Sequence, residues 1–181
     1  MFGKLNVPDD KEKSGGEFPD VVRTKFKIGT ETTGVFVGEP VEVYSHFEGE
    51  YPNGKYVGVC TGENCTICQD GNVAKYSMQI NFLTVLDGTP TMTIAEGPKS
   101  LGKALRKKEE KKGDGFFKDT VVCIDRTDKT AFMIDDVKAP KGLENVKELL
   151  KEIKTFDLVA MLEARVKKQT GDTDTTTTEP Y

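Results

Sequence analysis

The sequence predicts a mainly β domain with appended helices, its strands curled into a small closed or partly closed barrel. Three observations carry that expectation. Residues 18–140 read as short alternating or β-branched segments separated by turn residues. A single basic segment of helical pattern, Pro98–Lys112, interrupts them. A longer amphipathic segment, Leu143–Lys168, follows the break at Pro140-Lys141-Gly142. Many short strands with one interrupting helix favour a small barrel.

Taken in order, residues 1–17 are polar and carry Pro8, Asp9, Asp10, Gly15 and Gly16, and are expected to form a flexible arm. Val21–Ile28 reads as a strand, with cations and apolar residues alternating through Lys25-Phe26-Lys27-Ile28. Gly34–Val37 and Val41–Phe47 are two more, separated by Gly38-Glu39-Pro40. Tyr56–Cys60 follows a Pro52-Asn53-Gly54 turn. Lys75–Leu86 is the longest strand, with Tyr76, Met78, Ile80 and Phe82 on one face and Lys75, Ser77, Gln79 and Asn81 on the other, the pattern of a half-buried strand. Asp87-Gly88-Thr89-Pro90 turns it into Thr91–Glu96. Pro98 opens the basic helix. Phe116–Asp125 and Lys129–Ile134 form a second hairpin, turned by Arg126-Thr127-Asp128.

Beyond residue 140, apolar residues at Leu143, Val146, Leu149, Leu150, Ile153, Phe156, Val159, Leu162 and Val166 recur at helical spacing over 141–169, with a bend near Thr155. The helix is expected to pack on the barrel, a dimerisation or partner helix being the alternative. Residues 170–181 are Thr-rich and mildly acidic, too poor in apolar residues to bury a core, and are expected to be disordered.

Composition narrows the function classes. A chain of 181 residues, 31% charged, fits one domain with appendages. No apolar run approaches a membrane span, so no membrane partner is expected. Met1–Gly16 lacks the apolar core of a secretory signal, and clustered cysteines without one point to a reducing, cytoplasmic compartment. The net charge of −4 argues mildly against a nucleic-acid binder, although local charge decides what a groove attracts.

The most specific motif is His46-x13-Cys60-x4-Cys65-x2-Cys68, built on the only histidine of the chain. A Cys-x2-Cys pair places two sulfurs on one metal, and four such ligands describe a closed tetrahedral zinc site. A closed site is structural, because catalytic zinc keeps a position open for water. Gly62 and Gly71 permit the tight turns that wrap the backbone around an ion. A disulfide pair, a Cys65/Cys68 redox pair opening a helix, and an iron–sulfur ligand set are the alternatives. Asp70-Gly71 reads as a turn rather than a helix, against the redox pair. Cys123, in an apolar strand-like run, reads as a core thiol, its use as a ligand in place of His46 being the lesser alternative.

With its histidine committed, the chain has no nucleophile–histidine system, and it has no Gly-rich phosphate loop; a non-enzymatic role is expected. Cations with aromatics between them do stand out. Arg23, Lys25 and Lys27 line one predicted strand. Tyr44, Tyr51, Tyr56 and Tyr76 flank the cysteine segment with Phe47, Lys55 and Lys75. Lys99, Lys103, Arg106 and Lys107 belong to the basic helix. A single-stranded nucleic-acid groove needs both kinds of residue, cations for phosphates and rings for base stacking.

The order of a cationic strand, a Gly-Glu-Pro turn, a strand ending Tyr44-Ser45-His46, the cysteine knuckle, a long strand, a basic helix and a final hairpin resembles the helix-destabilising single-stranded DNA-binding proteins of tailed bacteriophages. The resemblance covers roughly residues 20–137, and its specific part is the metal motif. It implies a five-stranded OB-type barrel with one structural zinc, single-stranded DNA as partner in replication, recombination or repair, and an acidic tail that recruits replication or recombination proteins. The chain departs from the pattern in being shorter and in a tail holding only Asp172, Asp174 and Glu179. A zinc-ribbon adapter docking on a polymerase or another nucleic-acid machine is the alternative reading of the same residues.

Overall fold

In the computed structural model, which describes residues 21–49 and 54–171, seven strands form one sheet and four helices accompany it. The strands are β1 (Arg23–Lys25), β2 (Glu31–Glu48), β3 (Lys55–Val59), β4 (Lys75–Leu86), β5 (Thr89–Gly97), β6 (Val122–Arg126) and β7 (Phe132–Asp136). The helices are α1 (Thr66–Gln69), α2 (Lys99–Lys112), α3 (Val146–Glu152) and α4 (Leu158–Thr170). The sheet runs β1-β5-β4-β2-β6-β7, with β3 also paired to β2, and among the described residues only β1 on β5 is a parallel strand pair. Residues 1–20, 50–53 and 172–181 lie outside the described residues, and with them the expected arm, Tyr51, most of the expected Pro52-Asn53-Gly54 turn and most of the expected tail.

The sheet curls into a half-barrel. Phe26, just after β1, and Phe132, in β7, belong to opposite ends of the strand order, yet their ring centroids are 6.3 Å apart. Arg126 ties the same ends together, its Nη1 donating to the carbonyl of Phe26 at 3.0 Å. Inside the curl, Phe26, Phe36, Met78, Ile80, Phe82, Val122, Ile124 and Ile134 form one core, and α2 closes it with Leu101 and Leu105. Gly34 lets β2 cross this core, since a Cβ there would stand 2.4 Å from the Phe82 ring.

The two strands expected on either side of Gly38-Glu39-Pro40 are one bent strand. Val37 faces Asn81 and Val41 faces Gln79, so three residues of β2 stand against one of β4. Gly38 takes a positive φ of 74° and Pro40 has no N–H to give the ladder, so these residues bulge and the strand bends without ending. The β4–β5 turn falls where expected but is tighter, a two-residue loop with φ of 50° at Asp87 and 80° at Gly88, the sense that matches strand twist, and Thr89 and Pro90 already belong to β5.

Four further differences from expectation shape the fold. β1 is three residues long, because the chain leaves β5 after Lys25 to send Phe26 into the core. Phe116–Thr120 is a run of turns, with positive φ at Gly113, Gly115 and Asp119, and β6 begins only at Val122. The second face of β4 is covered, not solvent-facing: Gln79 and Asn81 are buried, and Leu83 joins Val35, Met92, Val121, Leu143 and Val146 in a second core. Its cover is the C-terminal segment, whose Leu149, Leu150, Ile153 and Phe156 pack there, so the amphipathic stretch does lie on the sheet.

The fourth difference is that this stretch is two helices. Asn81 donates to the Phe156 carbonyl at 3.0 Å and accepts from its N–H at 2.9 Å, taking both backbone groups that a continuous helix would use. Asp157 then restarts the helix by accepting from Ala160 N–H at 3.0 Å. α4 ends at Thr170, capped by Gly171 in the left-handed conformation, so residue 170 belongs to the helix and not to the tail. No helix among the described residues is long and apolar enough to cross a membrane.

Candidate metal centre and aromatic groove

His46 projects from the end of β2, Cys60 follows β3, Cys65 is the N-cap residue of α1 and Cys68 lies within it. Two glycines fold the segment back: Cys65 N–H bonds the Gly62 carbonyl at 3.0 Å, and Gly71 N–H bonds the Cys68 carbonyl at 3.0 Å. Both have positive φ, 88° and 86°. A helical turn, Thr66–Gln69, therefore stands where a turn alone was expected, and the turn at Asp70-Gly71 ends it.

The four ligand atoms lie within 4.8 Å of one another. His46 Nε2 is 3.3 Å from Cys65 Sγ and 3.6 Å from Cys68 Sγ, and Cys60 and Cys68 sulfurs are 3.6 Å apart. A tetrahedral ion with Zn–S near 2.3 Å sets its sulfurs about 3.8 Å apart, so the cluster has the size of such a site. The same 3.6 Å is too long for a disulfide, and all four cysteines are free thiols. Cys123 lies on β6 opposite Thr33, at the other end of β2, and is not part of the cluster. His46 and Cys65 are fully buried, and Cys68 is exposed.

Asn72, which sequence reading missed, orients the imidazole. Its Nδ2 donates to the Phe47 carbonyl at 3.1 Å, which turns its Oδ1 toward His46 Nδ1 at 3.2 Å. The Nδ1 then carries the proton and Nε2 offers its lone pair to the sulfurs' centre. The only sequence signal for Asn72 was its place next to Gly71. Hydrogen bonds from the backbone of Thr61, then of Cys68, hold the Cys65 thiol down to about 6, while the Cys60 hydrogen bond raises Cys68 to about 11. A Cys65 thiol held low beside a Cys68 thiol held high is a pair that a cation enters by displacing protons.

The predicted DNA-binding residues fall on two faces of the sheet. Residues paired across a ladder share a face. Tyr44 pairs with Tyr76, which packs against the inner core, so both belong to the concave face; their rings meet at 5.4 Å and 76°. Tyr44 is 47% exposed. Tyr76 donates to Glu42 at 3.2 Å, and its hydroxyl is held protonated mainly by burial, with Arg106 of α2 near enough to oppose this. Lys99, Lys103, Arg106 and Lys107 are exposed on α2, with no ion pair among the described residues, whereas Lys108 and Lys112 are engaged by Asp135 and Asp136 of β7.

The other candidates gather on the convex face. Phe47 pairs with Tyr56 at 5.9 Å between rings, and Lys75 Nζ stands 5.7 Å over Phe47. Arg23 is tied to Glu96 at 2.9 Å, and Lys25 is level with Glu96 in the ladder. Lys55 is the exception: it pairs with Glu48, one step from the Phe47–Tyr56 pair, and so stands on the concave side, while Lys27 is exposed beyond β1. Arg165 of α4 joins Tyr56, Arg23 and Glu96; burial, then the Arg23 charge, lowers its pKa. Arg165 escaped notice because its sequence setting is an ordinary amphipathic helix.

These features define a β-rich half-barrel with a His/Cys3 cluster suited to a metal, of the kind that binds nucleic acid or protein. Comparison with protein-family models, curated proteins and solved structures finds no match.

Proposed function

We propose that this chain is a non-enzymatic, zinc-stapled OB-type protein that coats single-stranded DNA with little sequence preference. The observation that carries the reading is the concave face, on which the half-exposed Tyr44 and its partner Tyr76 lie near Arg106 of α2, the helix that also exposes Lys99, Lys103 and Lys107. Rings open to solvent stack on any base, at roughly 1–3 kcal/mol per base, and cations beside them follow the phosphates. Neither kind of interaction reads base edges, which accounts for weak sequence preference.

The OB assignment has its support in β5-β4-β2-β6-β7, five strands around one core with α2 at its end, while β1 lies on β5 at the open side. Zinc, when bound, would cross-link β2, β3 and α1 through His46, Cys60, Cys65 and Cys68 in a closed structural site. Cys60 N–H donates to the Tyr44 carbonyl at 2.7 Å, so the cluster and the groove share a strand end. Binding unpaired strands and not duplex would then stabilise the open form by mass action, as replication, recombination or repair requires. Recruitment of proteins through the acidic tail belongs to the same proposal.

The test is a titration of tyrosine fluorescence with oligo-dT and with a duplex of equal length, at several salt concentrations. Salt-sensitive quenching by the single strand alone, lost in Tyr44→Ala, is expected. No response to either DNA, with a stable complex formed by a replication protein, would replace this reading with the adapter.

A further inference from the structure

α4 reaches β3, the strand that leads into Cys60, without contributing a metal ligand. The carboxamide of Gln169, in its last turn, accepts from Val59 N–H at 2.8 Å and donates to Val59 C=O at 2.9 Å. Both backbone groups belong to the edge of β3 that β2 does not use, so the side chain does there what a neighbouring strand would do. The fit is close. A Cβ at Gly58 would stand 2.4 Å from Gln169 Oε1, and glycine is the residue present. Four residues earlier on the same helix, Arg165 lies beside Tyr56 of β3. The residue after Val59 is Cys60.

From this arrangement we infer that Gln169 is a positioning residue for the metal centre: α4 clamps the β3 backbone at the residue before Cys60 and so fixes the distance of that thiol from Cys65, Cys68 and His46. β3 is only five residues long and is held on its other edge through a ladder with a register shift at His46/Phe47. On the β2 side Cys60 itself has one bond, from its N–H to the Tyr44 carbonyl at 2.7 Å, and the Gln169 clamp fixes the preceding residue from the other side. Outer interactions that orient ligands are typically worth 10–100-fold in metal affinity. A clamp acting through one peptide unit should lie near the lower figure, on the order of 10-fold.

The inference rests on the zinc assignment, and the experiment separates the two. Full-length protein is loaded with zinc, and transfer to a chromophoric chelator is timed for the unaltered chain, Gln169→Leu, Gln169→Glu and Leu149→Ala. The last loosens the second core away from the cluster and reports what general destabilisation does. The same proteins are loaded with cobalt(II) and their visible ligand-field bands recorded. Gln169→Leu is expected to release zinc about 10-fold faster and to shift the cobalt band. Gln169→Glu, which retains the acceptor for Val59 N–H, should fall between, and Leu149→Ala should match the unaltered chain in both readouts. Release and spectrum unchanged in Gln169→Leu, or release no faster than in Leu149→Ala, would overturn the inference while leaving the metal site standing. An unaltered chain that takes up no metal would instead sink the zinc assignment and this inference with it.

Discussion

The His46 imidazole has two nitrogens with different tasks. Nε2 faces the sulfurs and Nδ1 is held by Asn72, whose own amide is fixed by the Phe47 carbonyl. Asn72→Ala should leave four ligands in place yet loosen metal binding by roughly 10–100-fold, read by competition with a chelator, because the ring loses its orientation and its fixed tautomer. His46→Ala should lose the metal and Cys123→Ser should retain it, since Cys123 lies at the far end of β2; metal analysis of the purified variants decides. In the groove, Tyr44→Ala should weaken oligo-dT binding by about 1–3 kcal/mol, and Tyr44→Phe by much less, if the ring face is what the base uses. The ligands were legible in the sequence because metal chemistry restricts residue type and spacing. Asn72 was not, because a hydrogen bond to a ring nitrogen can come from any polar residue that the fold brings near.

At the scale of elements, two devices are open to test. Asn81 holds the α3–α4 break by two hydrogen bonds to Phe156. Asn81→Ala leaves that part-buried pair of backbone groups without its partner and should cost about 1 kcal/mol of stability, seen as a lower urea midpoint, with DNA affinity little changed. The cations of α2 form the second. Charge reversal at Lys103, Arg106 and Lys107 should weaken DNA binding alike for all sequences, and should reduce its salt dependence by about 0.7 in log–log slope for each phosphate no longer neutralised. Reversal at Lys25 and Lys27, away from the concave groove, should change the slope less. Equal effects from the two sets would mean that the bound strand passes around β1. Alternation and turn chemistry made β4, the β4–β5 turn and α2 readable. The bulge in β2 and the break before α4 were readable only as interruptions, because what bridges each one comes from a distant strand.

Across the whole molecule, the metal cluster lies outside both hydrophobic cores. Phe82, Leu83, Ile94 and Leu101 are fully buried without help from the cysteine segment, and only Cys65 and His46 of the cluster share that burial. Chelation should therefore loosen residues 55–72 and the end of β2 while β4 and β5 persist. Amide exchange measured with and without chelator should show fast exchange confined to the first group, accompanied by a loss of oligo-dT affinity. Uniform acceleration through β4 would instead show that the ion holds the whole fold together, as it does in domains that are unfolded without metal.

Local physics fixed a good deal of this protein in one dimension. Ligand chemistry set the His/Cys3 motif, period-two alternation set β4, the Asp87-Gly88 pair marked its turn, and helical spacing marked the apolar face of the stretch that becomes α3 and α4. Tertiary structure decided what local pattern does not encode. The polar face of β4 looked solvent-facing, but Asn81 and Gln79 are covered, since a polar side chain can be buried when its partner is another segment's backbone. The aromatic and cationic residues formed one group along the chain and divide into two on the sheet, because each step along a strand reverses the face. Gln169 looked like the polar end of a helix, and only the folded chain brings it to the free edge of β3 beside Cys60.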